Sequence, residues 1–542
     1  MQTTAPGIAS DAQGPEERMG MEQNANVMCL AKPKRKGLMG LIFSRLLIVV
    51  ILFVVQVLLY LSVFDWFRQY LPHYAVLQAV FTFLMTLYLF NNKMDSTAKL
   101  TWLALIAILP ALGAFLLFYT QTNIVNRAVQ KRVEARIDET RDALPQDAAV
   151  LERLNGDAYG TDDLNRYLNR SGCFPIYDHT EVTYFPLGED KFEAMLRELE
   201  KAEKYIFLEY FIVEEGYMWG RILDVLSRKA KEGVDVRVMY DGTCEITKLP
   251  HDYPKRLGKL GIKAKMFSPV TPFLSTHYNY RDHRKILVID GKVAFNGGVN
   301  LADEYINRKE VFGHWKDTAV MLHGDAVRSF TLLFLQMWNV YEEAPDFAAC
   351  ADPSAPAESG EGFVMPFGDS PLDEDKVGES VYMDMLYRAN GYVHIMSPYL
   401  ILDGELETAL KYAAERGVDV KLILPGIPDK KMAYALAKSH YRSLHDAGVK
   451  IYEYTPGFVH AKVFVSDDCR AVVGTINLDY RSLYHHFECA TYLYRTPCIA
   501  EIEADFEETL SKCREVTDES IKNEKFSYKL MGSLMKIIAP LM

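Results

Sequence analysis

Residues 281–300 read RDHRKILVIDGKVAFNGGVN, and a second stretch, HAKVFVSDDCRAVVGTIN at 460–477, repeats its skeleton. In each copy a lysine follows the histidine by two residues, an aspartate by seven and an asparagine by seventeen. The two sets are His283, Lys285, Asp290, Asn300 and His460, Lys462, Asp467, Asn477. Side chains alternate from face to face along a strand, so a histidine and the lysine two residues on share a face. That face would carry a nucleophile or proton shuttle beside a fixed positive charge, which suits chemistry on a phosphate ester. The apolar run ILVI reads as a buried strand, with GGVN as a tight turn behind it. A lone histidine would be read as a satisfied core residue; two, each with three matched partners, argue against that.

The duplication extends upstream. KEGVDVRVMYDG at 231–242 is echoed by ERGVDVKLILPG at 415–426, each entered by an amphipathic helical pattern. Self-similarity of this length means two copies of one α/β unit rather than a many-repeat solenoid. Helical patterns at 190–203 and 219–231 alternate with strand patterns at 205–213 and 235–240, which predicts a mostly parallel, covered sheet. The second half repeats this, with helices at 377–390 and 404–416 and a strand at 418–424.

These residues resemble the phospholipase D superfamily, whose signature is two HxKxxxxD motifs per active site. The resemblance covers roughly residues 180–515. Within the superfamily the chain is most similar to the bacterial cardiolipin synthases, through WKDTAV around Asp317, GTINLDYRSLYHHFE at 474–488 and an apolar N-terminal region. The resemblance implies a duplicated α/β/α sandwich whose two halves share one pocket. It further implies a two-step displacement through a phosphatidyl-histidine intermediate, with phosphatidylglycerol and membrane lipids as substrates and no cofactor. It makes His283 the nucleophile and His460 the general acid and base, although the symmetry of the motif does not itself choose between them. Lys285, Lys462, Asn300 and Asn477 would hold the phosphate oxygens. Asp317 and Glu488 match the acidic positions that orient the histidines in the family. Asp290 and Asp467 complete the motif and are expected to hold the turn after the strand. Glu209 is expected to be structural, His314 a rim or packing residue, and His485 and His486 to stand outside the chemistry. The rivals are a phospholipase D hydrolase, a nuclease and a membrane scaffold without turnover.

A net charge of −12 speaks against a nucleic-acid partner. The eight cysteines form no CxxC pair, so no metal site is expected from spacing, and free thiols suit a reducing compartment. Apolar segments at 46–64, 74–90 and 100–119 predict a multi-pass membrane protein. Basic residues 32–36 and Arg127, Lys131 and Arg132 both ask for the cytoplasmic face, which an odd number of spans cannot satisfy. The expected organisation is a disordered, basic-ended stretch (1–36), a transmembrane region (37–121) and a juxtamembrane helix (122–150). A first half (151–343), a linker (344–376), a second half (377–518) and a C-terminal amphipathic helix (519–542) follow.

Overall fold

The computed structural model describes residues 27–31, 71–121, 124–155, 161–269, 280–351, 360–373 and 375–541. The basic cluster at 32–36 and the apolar segment 46–64 lie outside the described residues.

Two sheets carry the chain, and they share one strand order. The first runs Thr180–Phe185, Ala319–Gly324, Val293–Gly297, Lys285–Ile289, Tyr205–Tyr210, Asp235–Asp241, Lys263–Phe267. The second runs Phe363–Asp369, His486–Tyr494, Arg470–Gly474, Val463–Ser466, Tyr392–Met396, Asp419–Pro425, Lys450–Tyr454, with Cys513–Glu515 added at the far edge. The expected mostly parallel sheet is corrected to a mixed one. Within each sheet the three strands from Tyr205, Asp235 and Lys263, and their counterparts in the second half, run parallel, and the other strands of the main path pair antiparallel. The motif strands run antiparallel to both neighbours, and a tight reversal joins each to the strand that follows it. Asp290 and Gly291 have φ of 53° and 68°, and Asp467 and Asp468 have 51° and 54°, the left-handed region that aspartate and glycine tolerate. The central strands Tyr205–Tyr210 and Lys285–Ile289 are buried along their whole length, as helices cover the faces.

The stretch read as a linker contains a strand. Phe363–Asp369 pairs antiparallel with His486–Tyr494 and closes the edge of the second sheet. Its proline, Pro366, is compatible with an edge position and hid the strand in the sequence. Residues 27–31, expected to be disordered, lie against the first half. Leu30 N–H donates to Glu215 Oε1 at 3.1 Å and Arg256 Nη1 donates to Leu30 O at 2.6 Å. Met28, Leu30 and Ala31 pack on that half's core.

The apolar region also departs from expectation. Segment 74–90 lies in the helix Leu71–Phe90, but 100–119 is broken into Ser96–Ile108 and Pro110–Gln121. Pro110 disfavours helical geometry at Leu109, which turns out of the helix at φ −132°, ψ 73°. The two pieces pack on each other, closely enough that a Cβ on Gly113 would press on the Ile106 backbone. Thirteen residues of helix span about 20 Å, short of a bilayer core of about 30 Å. Among the described residues no helix is long and apolar enough to cross a membrane.

The C-terminal helix Phe526–Ile538 lies along Lys431–Asp446, and the approach is so close that a Cβ on Gly532 would collide with Ala435 O. Thr101 Oγ1 donates to Ile537 O at 2.7 Å, tying this helix to the broken apolar segment.

Candidate active site

Each half lends the other a strand at the site. Arg281–Asp282 pairs with His486–Phe487, and Gly457–Val459 pairs with His314–Lys316, both parallel. Each motif histidine sits in the gap between such a short strand and its own motif strand, not on the motif strand itself. Its backbone N–H reaches the opposite half: His283 N donates to Phe487 O at 2.9 Å, and His460 N to Lys316 O at 2.7 Å.

The side chains cross in the same way. His283 Nδ1 is 2.9 Å from both carboxylate oxygens of Glu488, and His460 Nδ1 is 2.6 Å from Asp317 Oδ2. All four residues are buried. A carboxylate on Nδ1 leaves Nε2 as the free nitrogen of each ring. Burial pushes His283 well below the usual histidine range, against the pull of Glu488 and with help from Lys285. Burial, then Lys462, lowers His460 to about 4. Burial alone would raise both acids; Asp317 is nonetheless held low by His460 and Lys462, and Glu488 by His283 and His486.

Lys285 and Lys462 are buried, and each Nζ donates to the carbonyl of the histidine two residues earlier. Lys462 Nζ also stands 2.9 Å from His460 Nδ1. Burial brings Lys285 down to about 8 and Lys462 to about 7. Asn300 accepts from Ile212 N–H at 3.0 Å and donates to Tyr305 Oη at 2.9 Å, leaving one amide hydrogen uncommitted. Asn477 is buried with no hydrogen-bond partner on Oδ1.

Asp290 and Asp467 lie at the other end of the motif strands. Asp290 accepts from the N–H groups of Glu203, Lys204 and Tyr205 at 2.7–2.8 Å. Asp467 does the same for Asn390, Gly391 and Tyr392 at 2.8–2.9 Å. Both therefore pin the motif strand to the start of its neighbour. Buried Glu209 is ion-paired with Arg284, and His314 Nδ1 meets Tyr454 Oη at 3.1 Å.

Four neighbours were not singled out as part of the site. Thr475 donates its hydroxyl to Glu488. In the first half the same motif position is Gly298, where a Cβ would collide with Asp317 Oδ1. Buried Lys191, lowered to about 7 by desolvation, lies 3.3 Å from Val299 O. His486, set aside on sequence, lies with its ring centre 5.4 Å from that of His283. The offsets shared by the two motifs already expose the Gly298–Thr475 difference; the other neighbours arise from the packing of the halves. His283, His486 and Glu488 bring ligand-type atoms within 4.8 Å of one another. Glu488 is already committed to His283 and Thr475, and Lys285 stands beside them, so the group reads as an imidazole–carboxylate cluster rather than a metal centre.

The arrangement offers two buried imidazoles, each held by a carboxylate of the other half, and two buried ammonium groups, a set suited to phosphoryl displacement. The family described as cardiolipin synthase, phospholipase D-like domain, matches residues 195–338 and 382–510. A protein of Streptococcus mutans serotype c is 58% identical over 84% of this chain and 99% of its own length. Proteins described as cardiolipin synthase from Alkalihalophilus pseudofirmus and Geobacillus kaustophilus are 34% and 35% identical, covering 88% and 92% of this chain and 96% and 99% of theirs. The fold is like that of the Haemophilus influenzae phosphatidylserine synthase, with a TM-score of 0.54 at 15% identity over 70% of this chain and 97% of that one. With the family matched in both halves and such relatives aligned along most of its length, the chain belongs to the phospholipase D-like cardiolipin synthase family.

Proposed function

We propose that the protein is a phosphatidyltransferase that makes cardiolipin and glycerol from two molecules of phosphatidylglycerol. The substrate reading rests on the relatives described as cardiolipin synthases. The chemistry rests on one observation, the crossed pairing of each histidine with the other half's carboxylate. In the first step His283 Nε2 attacks phosphorus, the bond to the leaving glycerol oxygen breaks, and His460 gives that oxygen a proton. In the second step the hydroxyl of another phosphatidylglycerol attacks, its proton passes to His460, and the phosphorus–nitrogen bond breaks. Lys285 and Lys462 stabilise the charge that gathers on the non-bridging oxygens, with Asn300 and Asn477 as donors. Burial favours neutral His460, and the negative charge of a bound phosphodiester favours the imidazolium that the first step needs.

The reaction needs a site held against a membrane. Supporting this, large apolar side chains stay exposed on Leu71–Phe90 (Val76, Leu77, Phe83, Leu84, Phe90) and on the C-terminal helix (Phe526, Leu530, Leu534, Ile537). The contacts of residues 27–31 with the first half support a reading in which both lie on one face of the membrane, with an even number of full crossings between them. A helical hairpin folded at Pro110, inserted without crossing, removes the conflict between the two basic clusters. On this reading the face is cytoplasmic. Labelling of Cys469, which is half-buried, by an impermeant thiol reagent outside intact cells would overturn it; Cys244 is buried and reports nothing.

The functional test is purified protein and its His283→Ala variant in vesicles of labelled phosphatidylglycerol. Cardiolipin and glycerol from the wild type only are expected. Phosphatidic acid as the main product would move the activity to hydrolysis.

A further inference from the structure

The two half-sites match in histidine, lysine and acid, but not in the ring beside each histidine. Trp315 stands two residues before Asp317, and His486 two before Glu488. The ring centre of Trp315 lies 5.4 Å from that of His460 with the planes at 43°; that of His486 lies 5.4 Å from that of His283 at 40°. One position of the duplicated fold thus holds an indole in one half and an imidazole in the other. His486 is only 7% exposed, and neither of its ring nitrogens has a hydrogen-bond partner. Its Nδ1 is 3.6 Å from Glu488 Oε1, the oxygen that lies 2.9 Å from His283 Nδ1. The Phe211 ring packs edge-on to His283 at 4.9 Å.

We propose that His486 is a positioning residue that shares Glu488 with His283 and keeps His283 unprotonated, which makes His283 the nucleophile and leaves His460, beside the indole, as the proton carrier. This deepens the two-histidine reading above and rests on it. An imidazole can carry a charge that an indole cannot. Set beside Glu488 Oε1, the His486 imidazole opposes a proton on His283. The charged and titratable groups around it are Glu488 on the same strand, His485 before it, Arg281 in register with it on the paired strand, His283 and Lys285 across the site, and Lys462 facing Glu488. Asp369, opposite Glu488 in the sheet, is driven toward its neutral form by burial. Glu488 is thus the anion over which the two imidazoles compete.

The test is the pH dependence of kcat/KM for phosphatidylglycerol in the full chain and in His486→Phe and His486→Asn, measured from about pH 5 to about pH 9. The acid limb should move up by about one pH unit in both variants, a loss of about tenfold on the limb with a smaller loss on the plateau. A loss uniform across pH, an unmoved limb, or failure of both variants to fold would each overturn the proposal. A wild type that released phosphatidic acid would change the acceptor but not this inference, since the limb is read on that product equally. Full activity of His283→Ala would overturn the two-histidine reading itself.

Discussion

His283 and Glu488, 205 residues apart in the chain, meet with Nδ1 at 2.9 Å from both carboxylate oxygens, and His460 meets Asp317 across 143 residues at 2.6 Å. Neither half can orient its own histidine. Glu488→Gln keeps the shape but not the charge, so the imidazolium and the correct tautomer at His283 lose their support. A fall in kcat of about 10²–10⁴-fold is expected, and a similar one for Asp317→Asn. Because the pairs act in one reaction, the double variant should be far less impaired than the product of the single losses. Raised KM with unchanged kcat in Glu488→Gln would contradict the assignment.

Gly298 and Thr475 occupy the same position of the repeated motif and are not interchangeable. Any Cβ at 298 meets Asp317 Oδ1, whereas the Thr475 hydroxyl supports Glu488. Gly298→Thr should displace Asp317, cost about 1–3 kcal/mol of stability, and lower kcat by the same route as Asp317→Asn. Thr475→Val should cost about 1 kcal/mol and much less activity. Equal effects of the two in thermal unfolding and turnover would rule out this asymmetry.

How much of this was legible in the sequence follows from where each signal lives. His283, Lys285, Asp290, Asn300 and their counterparts are recoverable because both copies keep the same local offsets. The acids Asp317 and Glu488 are visible as types, but which histidine each serves is set by strands exchanged between the halves, and no offset records that. His486 was set aside for the same reason: its partners are His283 and Glu488 in space, and only Glu488 is near in sequence. Pro110 lies within an apolar run, and the run's hydropathy conceals the proline's power to break the helix. The strand Phe363–Asp369 lies inside a stretch rich in proline, serine and acid, and that composition, with Pro366 in the strand itself, masks it.

The buried lysines set an alkaline limit. Lys462 and Lys285, lowered by burial to about 7 and about 8, lose their charge as pH rises, and in the proposed mechanism the charged form is the one that holds the phosphate oxygens. In the free enzyme kcat/KM should therefore fall above about pH 7–8, while kcat falls at higher pH because the bound phosphodiester favours the ammonium. Stability has the opposite sign. An unfolded lysine titrates near 10.5, so from about 7 to 10.5 the unfolded chain binds the proton that folded Lys462 has released, and this group adds stability as pH rises through that window. Lys462→Met should remove that gain in unfolding measured against pH, and also abolish transfer. An identical stability profile in wild type and variant would show that Lys462 stays charged when buried.

The C-terminal helix carries its apolar residues outward, with Phe526, Leu530, Leu534 and Ile537 exposed along one side and Gly532 pressed against the opposing helix. Lys525, Lys529 and Lys536 lie away from that side in the helical repeat, the pattern of a helix lying in the surface of an anionic bilayer. Replacing Leu530, Leu534 and Ile537 together by Gln leaves the core untouched, so the unfolding temperature should hardly change. Each residue forfeits up to about 1.5–3 kcal/mol of lipid contact. Turnover on phosphatidylglycerol vesicles should then drop by about tenfold or more, with activity on detergent-dispersed lipid largely kept, since in micelles the substrate reaches the site without the helix being seated. If activity fell equally on vesicles and micelles, the helix would be acting through the packing of the second half, and its outward apolar face would have no lipid to explain it.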